Sequence, residues 1–146
     1  MPRLDAERIA LWRQFGALSI ALQRRLDQEL IERHDLPLTW FDALTDIRAA
    51  GGSIRVHELC EVLGEVPSSF SRRLDRMEEA GFLRRKHTPQ PDDRRAVTVS
   101  LTADGRAEWR DANITYRRLV QEHFARKLTE TDIAALQRIW SKLDSD

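Results

Sequence analysis

The 146-residue sequence predicts a mainly α-helical fold carrying one small β-hairpin. Three observations lead there. Apolar residues recur at steps of three and four along most of the chain, the period of a helix face. The pattern switches to strand-like only at Phe82–His87 and Ala96–Leu101. The six glycines and five prolines fall mostly at the joints between these segments, where helices stop and turns form.

Residues 5–34 read as one long helix. Leu11, Phe15, Leu18, Leu22, Leu26 and Leu30 form a single apolar stripe. Asp5 is placed to cap its start, and the residue before Pro37 is pushed out of the helical region. A second helix runs from Leu38 to Ala50, with Thr39 as the expected N-cap and Gly51-Gly52 as its stop. Ser53–Val56 is short and extended. Val56–Leu63 is a short helix closed by Gly64, a residue suited to a left-handed C-cap. Pro67 fits the first turn of the next helix, which runs to Ala80 before Gly81. Two helices joined by a tight turn containing glycine make a helix-turn-helix. Phe82–His87 and Ala96–Leu101 are the arms of the hairpin, and Thr88–Arg94 is its turn-rich tip. A long helix follows Thr102, carrying Trp109, Ala112, Tyr116, Leu119, Val120, Phe124 and Leu128 on one side. Thr129 starts a final helix with Ile133, Leu136, Ile139, Trp140 and Leu143.

Length and composition fit one domain spanning residues 1–146. Within it, residues 36–101 are expected to form a winged helix-turn-helix lobe. Residues 5–34 and 102–144 are expected to form α-helical dimerisation regions. The single cysteine excludes an internal disulfide and suits a reducing compartment. No uncharged stretch approaches the roughly 20 residues a membrane span needs, and no signal-peptide core is visible. The expected location is cytoplasmic, with no membrane partner.

The formal net charge is zero, which excludes a uniformly basic protein but not a local basic patch. Ser68–Arg95 holds eight basic and five acidic side chains. On the helix starting at Pro67, helical spacing turns Phe70, Leu74 and Met77 inward. Ser68, Arg72 and Arg76 then point outward, flanked by Ser69, Ser71 and Arg73. Arginine binds guanine O6 and N7 bidentately, serine both donates and accepts, and a helix N-terminus attracts phosphate. On the hairpin tip, Arg94 and Arg95 present guanidiniums suited to the negative minor groove of A·T-rich DNA. Asp93 is positioned to hold such an arginine in a fixed rotamer. These residues are the expected contacts to double-stranded DNA.

The run LCEVLGEVPSSFSRRLDRMEEAGFLRRKHTPQPDDRRAVTVSLTADG, from Leu59 to Gly105, resembles the MarR family of winged helix-turn-helix transcription regulators. LPLTWFDAL and LTETDIAALQRIWSKL resemble the family's second and last helices, so the likeness covers nearly the whole chain. It implies a homodimer interlocked through its terminal helices, reading a palindromic operator. Pro67–Ala80 would enter the major groove and Pro91–Arg95 the minor groove. It further implies a repressor released by a small aromatic inducer, with Trp12, Phe15, Trp40, Phe41 and Trp109 lining the cleft. Two positions depart from the pattern: Val66 replaces the usual serine-like cap, and Arg73 stands where an apolar residue is usual. Arg73 therefore reads as an extra phosphate or base contact. The dimer also has support from the residues themselves, because the terminal helices carry more apolar surface than a small lobe can cover.

Cys60, beside Leu59 and near Leu63, reads as a small buried hydrophobe rather than a reactive thiolate. His57 and Cys60 supply at most two metal ligands, and a site needs three or four, so no metal or cofactor is expected. The chain lacks the phosphate-loop, dinucleotide-binding, zinc-protease and nucleophile-elbow motifs, which argues against an enzyme. The alternative function is a winged-helix protein–protein adaptor without operator binding.

Overall fold

The computed structural model describes residues 5–145. The ends of the predicted domain, residues 1–4 and 146, lie outside the described residues. Six α-helices and three strands follow in the order α1 (Ala6–His34), α2 (Leu38–Ala49), β1 (Ser53–Arg55), α3 (Val56–Leu63), α4 (Pro67–Glu79), β2 (Leu83–His87), β3 (Val97–Leu101), α5 (Ala103–His123) and α6 (Glu130–Leu143). The strands form one antiparallel sheet in the order β1-β3-β2. In it Arg55 lies opposite Thr98, and Arg85 opposite Val99.

Local chemistry sets the boundaries. Asp5 caps α1 by accepting the Glu7 N–H at 2.9 Å. Asp35 ends that helix in the left-handed region, at φ 51°. Gly64 ends α3 at φ 64°, a conformation that costs a glycine little. Thr102 caps α5 through the Gly105 N–H. Thr129 and Asp132 form a reciprocal capping box on α6.

Two boundaries differ from the sequence reading. Thr39 is not the cap of α2; it lies inside that helix, and Pro37 holds the cap position without a side-chain bond. The Leu38 N–H instead donates at 2.8 Å to Asp27 Oδ1, a carboxylate from the preceding helix. Periodicity along one helix cannot show a cap supplied by another. The helix after Thr102 also stops at His123, so Phe124 and Leu128 flank a separate 3-10 turn, Ala125–Lys127.

The core lies between α2, α3, α4, α5 and the sheet. It is built from Leu36, Phe41, Leu44, Ile47, Leu59, Phe70, Leu74, Met77, Leu83 and Val99, all nearly fully buried. From α1 only Leu30 joins them fully, and α6 contributes no buried residue. The start of α5 passes very close to the turn between α4 and β2. A Cβ at Gly105 would collide with the Phe82 carbonyl, so that contact admits only glycine.

Candidate nucleic-acid interface

Burial of Phe70, Leu74 and Met77 fixes the rotation of α4, as their spacing predicts. Pro67, Ser68, Ser69, Ser71, Arg72 and Arg76 are consequently exposed. Val66 precedes the helix in an extended conformation and makes no side-chain cap. The leading amides of α4 therefore have no capping side chain, which suits an incoming anion. Ser69 is partly engaged locally, donating from Oγ to the Val66 carbonyl at 3.1 Å.

Arg72 and Arg76 make no ion pair among the described residues. Arg73 does, contrary to the expectation of a free contact. Its Nη1 donates at 2.8 Å to Glu65 Oε1, and both side chains are largely covered. This pair braces the turn between α3 and α4. Its guanidinium also sits 5.8 Å from the centre of the Phe70 ring. A half-buried guanidinium needs such a partner, because leaving it unpaired is costly.

Behind Arg73 lies Asp42 of α2. Burial pushes its carboxyl up to about 6; the nearby carboxylates of Asp46 and Glu65 add to the rise and Arg73 opposes it. Burial likewise raises Asp46. Tyr116 is raised first by burial and then by the charge of Asp42.

At the hairpin, Arg94 and Arg95 are exposed and free of ion pairs among the described residues. Asp93 does not grip either guanidinium. Its carboxylate accepts the Arg95 backbone N–H at 2.9 Å, and its backbone closes a turn with Gln90. The neighbouring Asp92 instead meets Arg55 of β1. Arg85 is consumed internally by Asp75 and Glu78, and its backbone N–H chiefly holds the Glu78 carboxyl below its usual range. Arg84 and Lys86, on the other face of β2, are exposed. Strand alternation turns them away from Arg85, and Arg84 lies beside Thr102 and Ala103 at the start of α5.

The five aromatic residues expected to share one cleft do not all come together; of them, Phe41 and Trp109 stack on each other. Phe41 is core, with Trp109 stacked on it at 6.3 Å and Tyr116 at 4.6 Å. Trp109 is further fixed by Nε1 donating to Thr45 Oγ1 and by the Arg48 guanidinium over its ring. Trp40 packs edge-on against Phe82. Phe15 meets Trp140 of α6 at 5.7 Å, far along the chain from the lobe, and Trp12 is 72% exposed. Cys60 is buried, with Sγ 3.2 Å from the Glu65 carbonyl. Among the described residues no cluster of three metal-ligating side chains occurs. No described helix is long and apolar enough to cross a membrane.

An outward-facing helix in a helix-turn-helix, beside a basic β-hairpin, defines a winged helix-turn-helix protein. Residues 34–96 match the model of the MarR family. The chain is 32% identical over 124 residues to the HTH-type transcriptional regulator PecS of Dickeya dadantii, covering 84% of this chain and 69% of that protein. It is 31% identical over 119 residues to the multiple antibiotic resistance protein MarR of Salmonella typhimurium, covering 82% and 81%. A solved cysteine-to-serine variant of Escherichia coli MarR, complexed with operator DNA, superposes with a TM-score of 0.79 at 30% identity, covering 97% of this chain and 99% of that one. The chain belongs to the MarR family of transcriptional regulators.

Proposed function

We propose that this protein is a cytoplasmic, sequence-specific repressor that binds a palindromic double-stranded operator as a homodimer. The observation that carries this reading is the pairing pattern of the arginines. Arg73 and Arg85 are neutralised by protein carboxylates, whereas Arg72, Arg76, Arg94 and Arg95 are exposed without one among the described residues. Arg72 and Ser68 share the outer face near the leading end of α4, where base edges lie closest in this docking mode. Arg94 and Arg95 suit the minor groove, whose code is degenerate, so they supply affinity and A·T preference. Residues 36–101 form the reading lobe in this proposal, and residues 5–34 and 102–144 the dimer region. The exposed apolar residues Leu11, Phe15, Leu18, Ile133, Ile139 and Trp140 support the latter.

Release by a small aromatic ligand completes the proposal. An open groove of about 520 Å³, lined by Phe15, Leu18, Leu22, Phe124, Leu128 and Trp140 among others, lies on the face assigned to the second copy, so the ligand's place in this proposal is the seam between the two copies. That volume suits a small organic molecule.

Selection of bound sequences from random duplex DNA tests the central claim. The expected product is a palindrome. On it, Arg72→Ala costs about 1–3 kcal/mol and costs little on random DNA. Arg94→Ala weakens both and lowers the salt slope by about one. No enrichment, or equal losses from Arg72→Ala on both DNAs, would overturn the reading.

A further inference from the structure

The wing tip is tied to a strand distant in sequence. Arg55, at the end of β1, reaches across the sheet to Asp92 in the loop between β2 and β3. The pair is bidentate: Nη1 donates to Oδ2 at 3.0 Å and Nη2 to Oδ1 at 3.2 Å. Fork-to-fork geometry of this kind fixes direction as well as distance. The Arg55 side chain is 24% exposed and that of Asp92 68%, so the strand end is half-buried and the loop end is solvated. The guanidinium holds the Asp92 carboxyl below the usual carboxylate range.

Among the described residues, the loop carrying Asp92 is otherwise held only within the β2–β3 hairpin, where the Thr88 and Thr98 hydroxyls meet at 2.6 Å. Thr88 N–H donates to the Ala96 carbonyl at 2.8 Å, and Gln90 and Asp93 exchange backbone bonds. His87 Nε2 lies 2.9 Å from the Arg94 carbonyl. These contacts shape the tip but do not fix its angle to the sheet. The Arg55–Asp92 pair is the side-chain bond that joins the tip to β1.

We propose that Arg55 is a positioning residue for the wing: through Asp92 it sets the angle at which Arg94 and Arg95 are presented. This rests on the reading of the wing as a DNA contact. Asp92 carries negative charge onto a surface meant for phosphate. Simple electrostatics makes its removal favourable for binding, whereas the latch makes it unfavourable, because a freed tip must be ordered again on the DNA. The two accounts differ in sign.

The experiment compares wild type, Asp92→Asn, Arg55→Gln and the double variant. Anisotropy on the selected operator gives affinity. The rate of limited trypsin cleavage after Arg94 and Arg95, without DNA, reports how often the tip opens. Asp92→Asn is expected to weaken operator binding about threefold to fivefold and to speed cleavage by a similar factor, the range of a well-formed partly buried pair. In the Arg55→Gln background it should add no further loss, as for two residues acting through each other. Tighter or unchanged binding with unchanged cleavage overturns the latch. So does Arg55→Gln weakening binding while Asp92→Asn strengthens it, the signature of direct phosphate contact by Arg55. A wild type that binds no duplex at low salt would sink the DNA reading instead, and cleavage would still decide the latch.

Discussion

The stretch from Leu36 to Leu101 and the helices at the two ends of the chain use the same amphipathic pattern and meet opposite fates. In the first, Phe41, Leu44, Ile47, Phe70, Leu74 and Met77 are closed off from solvent. In the second, Leu11, Leu18, Trp140 and Leu143 remain exposed, although their spacing along α1 and α6 is just as regular. A stripe reports that a face wants cover and not what will cover it. The closed region finds its partner within the chain. The open one leaves a surface whose cover must come from elsewhere, and a second copy of the chain is its proposed occupant.

The sharpest way to break this contrast is a matched pair of substitutions. Leu44→Ala should cost about 2–5 kcal/mol, the range for a fully buried leucine. Its effect on urea midpoints should not depend on protein concentration. Leu18→Asp, at a position 57% exposed, should leave the lobe folded. It should convert the protein to a 17.0 kDa species in sedimentation. A concentration-dependent loss from Leu44→Ala and none from Leu18→Asp would reverse the assignment of the two regions.

The next largest effect lies where the regions join. Helix propensity alone says that Gly105→Ala stabilises by about 1 kcal/mol. The clash with the Phe82 carbonyl opposes it and should win, for a net loss of about 1–3 kcal/mol in denaturant. A stabilised variant would mean that α5 is free to move away from the lobe.

Asp42 tests whether the closed region is optimised throughout. Its carboxyl titrates near 6 when folded, above its value of 3.8 in the unfolded chain. Above pH 6 the folded state bears the full cost of a half-buried charge. As pH falls towards 4 it takes up a proton before the unfolded chain does, and this cost disappears. Asp42→Asn should therefore stabilise at pH 8, on the order of 1 kcal/mol once solvent screening is allowed for. The advantage over wild type should shrink at pH 5. Unfolding curves at both values decide, and an advantage that grows on acidification would contradict burial as the cause of the raised pKa.

The smallest effect concerns the uncapped start of α4. Val66→Ser should add about 0.5 kcal/mol of stability by supplying the missing acceptor. Thermal unfolding reads this directly, and a destabilised variant would show that the valine side chain is needed where it stands.

How far these features were legible follows from the range of the interactions behind them. Helices, wing and the outward face of α4 depend on neighbours within one or two turns, and periodicity exposes those. Ser68, Arg72 and Arg76 were placed correctly on the outer face for that reason. Arg73 was misjudged because its partner Glu65 lies across the turn between two helices. Arg55 went unnoticed because Asp92 is 37 residues away. Thr39 looked like a cap because the true acceptor, Asp27, belongs to a different helix. The aromatic residues were grouped by type, and the fold pairs Phe41 with Trp109, Trp40 with Phe82 and Phe15 with Trp140.

That Asp27 contact has a mechanical side. At about 1.5 Å per residue, the 29 residues of α1 make a rod roughly 44 Å long. Near its far end, one carboxylate grips the first amide of α2 at 2.8 Å. The long helix and the lobe are thereby geared together. In a two-fold assembly, turning the rod by a few degrees where two copies meet swings each lobe through several ångströms. The spacing between two recognition helices is then adjusted at the opposite end of the molecule, with no change inside either lobe.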